Sequence, residues 1–220
     1  MPNNPRRKRR GRPTTLNRQL TVEIATDCYW RNGLYGTSLS EVCRRANVSK
    51  PSIYREFGGE DGLMLAVVEN YRDLATVPLM ALLVTDVPFL DVLTRLIFFS
   101  TDLGDTPAGC LLTAMRFAPG RLGPHCLTKV NSITSDLLSS YEAWYRRAVS
   151  RGEADPNISA HLAARFVDTT LVSTLLQMPL GVDPELLRQQ MQLALRTLMP
   201  TADWEKFSQK RLEQIKVGFA

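Results

Sequence analysis

Cysteine and histidine are the residue types here that most often bind metals or carry out catalysis, and their spacing indicates neither. The four cysteines form no Cys-x-x-Cys pair, and only two histidines accompany them. They are Cys28, Cys43, Cys110, Cys126, His125 and His161. Because zinc sites need clustered ligands, no metal is expected. Neither histidine lies in a nucleophile motif and no phosphate-binding glycine loop occurs, so the pattern predicts neither an enzyme nor a cofactor.

Cationic side chains show a clearer pattern. The chain has a net charge of +5, and its first twelve residues hold six basic side chains and no acid. These are Arg6, Arg7, Lys8, Arg9, Arg10 and Arg12. The remaining chain is therefore close to neutral, which favours local contact with phosphate over a protein coated in nucleic acid.

Within this arm, taken as residues 1–16 and predicted to be disordered, Arg10, Gly11, Arg12 and Pro13 match the core of an AT-hook. Arginine is attracted to the negative potential of a narrow, A·T-rich minor groove. The alternative is a charge run that binds phosphate without base preference. DNA contact by Arg10, Gly11 and Arg12 is expected under either interpretation.

The stretch from residue 37 to 57 contains two helix starts. Ser38 and Glu41 have the spacing of a capping box, and the apolar Leu39, Val42 and Cys43 follow on one face. Asn47 can adopt the left-handed conformation of a tight turn.

Ser49 then caps a second short helix, in which Pro51 is tolerated in the first turn and Ile53 and Phe57 face the core. Two short helices joined by a tight turn predict a helix-turn-helix unit. A supporting helix over Leu20–Asn32 ends at Gly33 and buries Tyr29, and a longer helix begins near Glu60 and reaches about Val77.

This stretch resembles the DNA-binding domain of the TetR family of bacterial transcriptional repressors. Gly33, Thr37 and Ser38 match, as does the run Val48-Ser49-Lys50-x-x-x-Tyr54-x-x-Phe57, and the similarity extends without a gap from about Leu20 to Tyr71.

The resemblance implies which residues contact DNA: Thr37, Ser38, Ser49, Lys50, Pro51, Ser52, Tyr54 and Arg55. It implies guanine or phosphate contacts for Lys50 and Arg55, a phosphate contact for Tyr54, and a thymine methyl contact for Pro51. Relatives commonly have lysine where Glu60 stands, so one phosphate contact is expected to be missing and the arm to replace it.

The predicted fold is all-α, with a helix-turn-helix domain over residues 17–62 and a helical regulatory and dimerisation domain over 63–220. Six helical segments are expected after Pro78: 89–102, 108–117, 126–151, 160–178, 184–199 and 203–216.

Segments 160–178 and 184–199 carry apolar stripes, which fit either a core or an oligomer interface. Family resemblance favours a four-helix dimer interface, formed by Phe166, Thr170, Leu171, Thr174, Leu187, Met191, Ala194, Leu195 and Leu198. The expected partners are therefore a second copy of the chain and a palindromic double-stranded operator, since one short helix reads too few base pairs.

Relatives couple DNA release to a small molecule bound in the second region. The pocket candidates are Phe98, Phe99, Cys110, Met115, Phe117, Tyr141, Trp144, Phe166, Thr169 and Gln177, each of which also fits a core position. Gly109-Cys110-Leu111-Leu112 resembles a motif of a branch with cysteine sensors, so an oxidant- or electrophile-sensing repressor is one alternative.

A second alternative is a non-specific architectural DNA binder that uses the arm alone. This alternative assigns no role to the helical region after Pro78. No apolar run approaches the ~18–20 residues that span a bilayer, and no apolar segment follows the basic start. A cytoplasmic, nucleoid-associated location in a bacterium is therefore expected.

Overall fold

The computed structural model describes residues 16–102, 104 and 106–201, and every regular element within them is helical, so the predicted all-α class is confirmed. The helices are α1 Arg18–Gly36, α2 Leu39–Arg45, α3 Lys50–Phe57, α4 Glu60–Tyr71, α5 Val77–Leu83, α6 Phe89–Thr101, α7 Leu111–Arg116, α8 Pro124–Ser150, α9 Ala160–Gln177 and α10 Pro184–Leu195. None of them is long and apolar enough to cross a membrane.

Several boundaries differ from the predicted ones. The helix expected to end near Val77 continues to Leu83, because a π-helical turn, Arg72–Thr76, joins α4 to α5 just before Pro78. This wider turn accommodates a proline that has no amide hydrogen to donate. Helix α7 is shorter than expected, since Cys110 is its N-cap. The predicted helix over residues 203–216 lies outside the described residues.

Helix α1 changes direction at Gly33, where the chain was expected to leave the helix. Gly33 has φ +73° and ψ 169°, values that a residue with a side chain rarely adopts. The chain then reaches Thr37 and starts α2, so this glycine sets the angle between the supporting helix and the helix-turn-helix pair.

Helix α4 joins the amino-terminal helices to the rest of the chain. It packs against α1 and α3 on one side and against α8 on the other. Its buried residues are Leu63, Met64, Ala66, Val67, Val68 and Tyr71. One continuous apolar core therefore runs through the described chain. The domain division at residue 62 stays a prediction.

A nearly buried ion pair connects α7 to α9. The Nη1 and Nη2 atoms of Arg116 donate to the two carboxylate oxygens of Asp168 at 2.9 and 2.7 Å. Hydrogen bonding to Asp168 raises the pKa of Arg116. A bidentate pair with so little solvent access fixes the relative position of the two helices.

We expect Asp168→Ala to lower the free energy of unfolding by about 3 kcal/mol, because it leaves the Arg116 charge unpaired inside the protein. Urea unfolding followed by circular dichroism measures this. Asp86→Ala is the matched control: it removes a fully exposed carboxylate from Arg151, at 2.9 Å, and should leave the unfolding midpoint unchanged. Equal midpoints for Asp168→Ala and the parent chain would contradict the expectation.

Candidate nucleic-acid interface

Two serines start the paired helices α2 and α3, as predicted. The Ser38 Oγ accepts from the Glu41 amide, and the Ser49 Oγ accepts from the Ser52 amide, each at 3.2 Å. Only half of the capping box forms, because the Glu41 carboxylate binds the Arg44 guanidinium instead of reaching back to Ser38. These caps satisfy backbone groups that a short helix cannot satisfy itself.

The turn between the helices depends on Asn47. It has φ +54° and is the one non-glycine residue with positive φ in the described chain. The amide of Val48 then donates to the Cys43 carbonyl at 2.9 Å, which closes the end of α2. The left-handed residue predicted for this turn is thus present.

Helix α3 has one buried residue, Ile53, and a polar outer surface. Lys50, Pro51, Tyr54 and Arg55 are exposed, and Tyr54 keeps 57% of its surface accessible. The Tyr54 ring passes beside Gly59, 3.6 Å from where a Cβ of that residue would lie. Four side chains that can contact phosphate or base edges therefore share one accessible surface of a capped helix.

A chain of hydroxyl groups holds one of these side chains. The Oγ atoms of Ser49 and Ser52 are 2.8 Å apart, and the Arg55 Nη2 donates to the Ser52 Oγ at 3.2 Å. Ser52 is half-buried and is already engaged within the helix. The geometry supports a positioning role for Ser52, with Arg55 as the group presented to solvent.

Thr37 requires a correction. Its side chain is buried, with 1% of its surface exposed, and its Oγ1 donates to the Cys28 carbonyl at 3.0 Å. Its hydroxyl is therefore not available to a phosphate. The hydroxyl instead ties the start of the α2–α3 unit to α1, while the neighbouring Ser38 stays exposed.

The basic side chains of α2 are occupied by neighbouring carboxylates. Arg44 pairs with Glu41 at 2.6 Å, and Arg45 pairs with Asp27 of α1 at 2.9 Å. Arg45 Nη1 also lies 3.2 Å from the Cys28 sulfur. Arg45 therefore fastens α2 to α1.

The basic arm, with Arg10, Gly11 and Arg12, lies outside the described residues. The first turn of α1 nevertheless shows where the described chain starts relative to α3. Arg18 lies 3.5 Å from Glu56 and stands over the Phe57 ring at 5.2 Å. The described chain therefore begins next to the carboxyl end of α3.

Asp61 is a contact residue that sequence reasoning missed. Its carboxylate accepts from the amides of His125 and Cys126 in α8. Burial opposes ionisation of Asp61, but these hydrogen bonds lower its pKa below the ordinary value. The available signal was Gly123 before Pro124, a helix start with no side chain to cap it.

The proposed pocket residues do not converge on one lining. Met115, Tyr141 and Trp144 are buried in the core, and Trp144 stacks on Phe89 with ring centroids 4.6 Å apart. Phe117, 63% exposed, and Thr169 lie on the surface, which removes both from an internal lining. Phe98, Phe99, Cys110, Phe166 and Gln177 are half-buried.

The four cysteines are free thiols. Burial raises the pKa of Cys28 and Cys43, and raises that of Cys126 to about 12. Cys110 is half-buried, and its Sγ accepts from the Thr113 amide at 3.4 Å at the start of α7. A sensing role for Cys110 stays a prediction.

Most of the predicted interface residues are also inside the protomer. Leu171, Thr174, Leu187, Met191, Leu195 and Leu198 are buried, because α9 and α10 turn these stripes toward α6 and α8. Phe166, Thr170 and Ala194 are half-buried. The apolar side chains that α9 and α10 leave exposed are different ones: Leu162, Leu176, Leu186 and Leu193. Leu180, in the short 3-10 turn that follows α9, is exposed as well.

Comparison with known proteins shows which family the amino-terminal helices resemble. Residues 22–67 match the model of the bacterial regulatory proteins of the tetR family. The HTH-type transcriptional repressor ComR of Escherichia coli (strain K12) is 33% identical over 67 residues, which is 30% of this chain and 32% of ComR. The match thus spans about a third of that relative.

Solved structures show the same fold over most of the chain. A TetR family regulator from Agrobacterium tumefaciens superposes with a TM-score of 0.74 at 17% identity, covering 83% of this chain and 97% of that one. A cysteine mutant of CifR complexed with 26-bp double-strand operator DNA gives 0.73 at 20%, covering 86% and 100%. Reduced E. coli NemR gives 0.72 at 15%, covering 84% and 97%. Residues 22–67 therefore carry a helix-turn-helix domain like that of the tetR family of bacterial regulatory proteins, and the chain as a whole shares the fold of these solved structures.

Proposed function

We propose that the protein is a sequence-specific transcriptional regulator of the bacterial cytoplasm, a homodimer that represses from a palindromic operator and is released by a small molecule. The observation that carries the proposal is the accessible surface of α3, where Lys50, Pro51, Tyr54 and Arg55 project from a helix held by serine caps. The name of ComR as a repressor and the operator complex of CifR support it.

Direct reading of bases requires donors on a helix that fits the major groove. Arg55 can form two parallel hydrogen bonds with guanine O6 and N7, and Ser52 already restrains its guanidinium. Lys50 in the first turn reaches a base edge or a phosphate, and Tyr54 donates to a phosphate. Ser38 and Ser49, both exposed, stand at helix starts, where amide groups attract anions.

The basic arm adds affinity without requiring a change in α3. Since Arg18 contacts the end of α3, an arm that leaves residue 16 starts beside the reading helix. The six residues from Arg10 to residue 16 would span roughly 20 Å if extended, which is enough for Arg10 to reach an adjacent minor groove. The arm replaces the phosphate contact that is expected to be missing at Glu60.

Two copies are needed because a short α3 reads few base pairs. We propose that the dimer buries the exposed apolar side chains of α9 and α10, which lie at spacings that place them on one face of each helix. Leu176 of α9 and Leu193 of α10 are 40% and 59% exposed on a protein with a well-formed core, as expected for side chains covered by a second subunit.

Release requires an effector that prefers a dimer with the wrong separation of its α3 helices, and a coupling of ~1–3 kcal/mol suffices. The largely buried polar cluster of Arg116 in α7, Asp168 in α9 and Tyr141 in α8 is the part of the regulatory region best suited to orient a polar ligand.

The central test is selection of bound genomic fragments by the purified protein. We expect recovery of a palindrome whose half-sites are ~34–36 Å apart, the distance of one helical turn. A salt titration should then show affinity for this site at least about a thousandfold above random DNA. Equal affinity for both would favour the architectural alternative and reject specific regulation.

Substitutions in α3 should separate positioning from reading. Tyr54→Phe removes a phosphate donor and is expected to weaken binding by about tenfold on all operator variants alike. Arg55→Ala is expected to relax preference at one base position, with a loss of discrimination of about 1–3 kcal/mol. Competition binding with single-base operator variants measures both. Unchanged affinity and base preference for Arg55→Ala would exclude its reading role.

Charge placed on the proposed interface should separate the subunits. We expect the double variant Leu176→Glu, Leu193→Glu to be monomeric by analytical ultracentrifugation and to lose cooperative operator binding, because burying two carboxylates in an apolar interface is strongly unfavourable. Val84→Glu changes an exposed apolar residue outside α9 and α10, 71% accessible, and is the control. A dimeric double variant would place the interface elsewhere.

A further inference from the structure

The end of the reading helix is rigidly connected to the start of α4. Gly58 caps α3 with φ +76°, and Gly59 follows with φ +129°. Gly62 lies so close to the Phe57 carbonyl that a side chain there would overlap it. Helix α3 cannot move without the first turn of α4, which carries Asp61.

That first turn holds the amino end of α8. The Asp61 Oδ1 accepts from the Cys126 amide at 3.0 Å, and its Oδ2 accepts from the His125 amide at 3.1 Å. The Oδ2 also lies 2.8 Å from the His125 Nδ1. Because two consecutive amides are held by two oxygens of one carboxylate, α4 cannot rotate about the end of α8 without losing a hydrogen bond.

Gly123 makes this approach possible. It is the N-cap of α8, and a Cβ at this position would overlap the Asp61 side chain. A helix usually takes its cap from its own preceding residue, and here the carboxylate comes from another helix 62 residues earlier in the chain. The absence of a side chain at Gly123 therefore leaves room for the Asp61 carboxylate to cap α8.

Helix α8 leads from this joint to the dimer face. Its 27 residues extend over roughly 40 Å. It packs along α9, where the Glu142 Oε1 lies 2.8 Å from the His161 Nδ1. The same α9 carries the exposed leucines assigned above to the second subunit. A displacement of α8 thus reaches the end of α3 through α4, and Asp61 is the contact that holds the first turn of α4.

We propose that Asp61 is a positioning residue that sets the separation of the two α3 helices by locking α4 to the amino end of α8. The inference rests on the proposed dimeric operator binding. Two further contacts keep the reading unit attached when the lock is broken. Trp30 Nε1 donates to the Gly109 carbonyl at 3.0 Å, and Arg121 Nη2 donates to the Leu34 carbonyl at 3.2 Å. Both hold α1, so loss of Asp61 releases rotation of α4 and α3 without detaching them.

The test uses the full-length protein and operators whose half-sites are separated by the selected spacing or by one or two base pairs more or less. Asp61→Asn keeps the shape of the side chain but exchanges one acceptor for a donor facing an amide, and Gly123→Ala displaces the carboxylate from the other side. For both we expect about a tenfold loss on the selected spacing and a smaller loss, or a gain, on another spacing.

Asp183→Asn is the matched control. Asp183 caps α10 by accepting from the Glu185 amide at 3.0 Å, and that helix packs mainly against α6 and α9. It should lower thermal stability without changing the order of preference among the spacings.

A purely structural role for Asp61 predicts the same factor of loss at every spacing for Asp61→Asn and for Gly123→Ala, and that result, or unchanged binding, overturns the proposal. Failure of the proposed function looks different, since the parent protein would then bind all spacings and random DNA equally.

Discussion

The burial of α4 on two sides is the constraint on which the rest of the structure depends. Its apolar residues face α1 and α3 in one direction and α8 in the other, so the helix is covered almost all round. A helix of this kind is stable only when both neighbours are present. The helix-turn-helix unit is therefore joined to the later helices through a shared core, and a change in those helices has a physical route to α3.

Helix α3, in contrast to α4, buries very little of its surface. It buries only Ile53 and is held mainly by the Ser49 cap, the first-turn Pro51 and the left-handed Gly58 at its end. Because so little of its surface is needed for packing, most of its side chains remain free for a partner. The hydroxyl chain from Ser49 through Ser52 to Arg55 then restrains one long side chain that would otherwise lose conformational entropy on binding.

Local chemistry explains which parts of the fold and the site could be predicted. Caps, left-handed turn residues and apolar periodicity act over four or five residues, so Ser38, Asn47, Ser49 and Gly33 could be assigned roles without a structure. The starts of α9 and α10 were predicted within a residue for the same reason. The continuation of α4 past Val77 could not be, because a π-helical turn depends on packing that has no local sequence signal.

The sequence by itself determined the all-α class, the helix-turn-helix unit and the core side of α3 through short-range patterns, while the outward residues of α3 were implied by the family resemblance. Only the tertiary structure decided which segment of the chain each apolar or polar face packs against. The apolar stripe of Leu187 and Leu195 fits either a core or an interface, and in the structure it lies in the core. The Thr37 hydroxyl, which the resemblance assigned to a phosphate, donates to the Cys28 carbonyl instead. Asp61 meets α8 across 64 residues of chain. Periodicity identifies a face of a helix, whereas the partner of that face depends on contacts between distant segments.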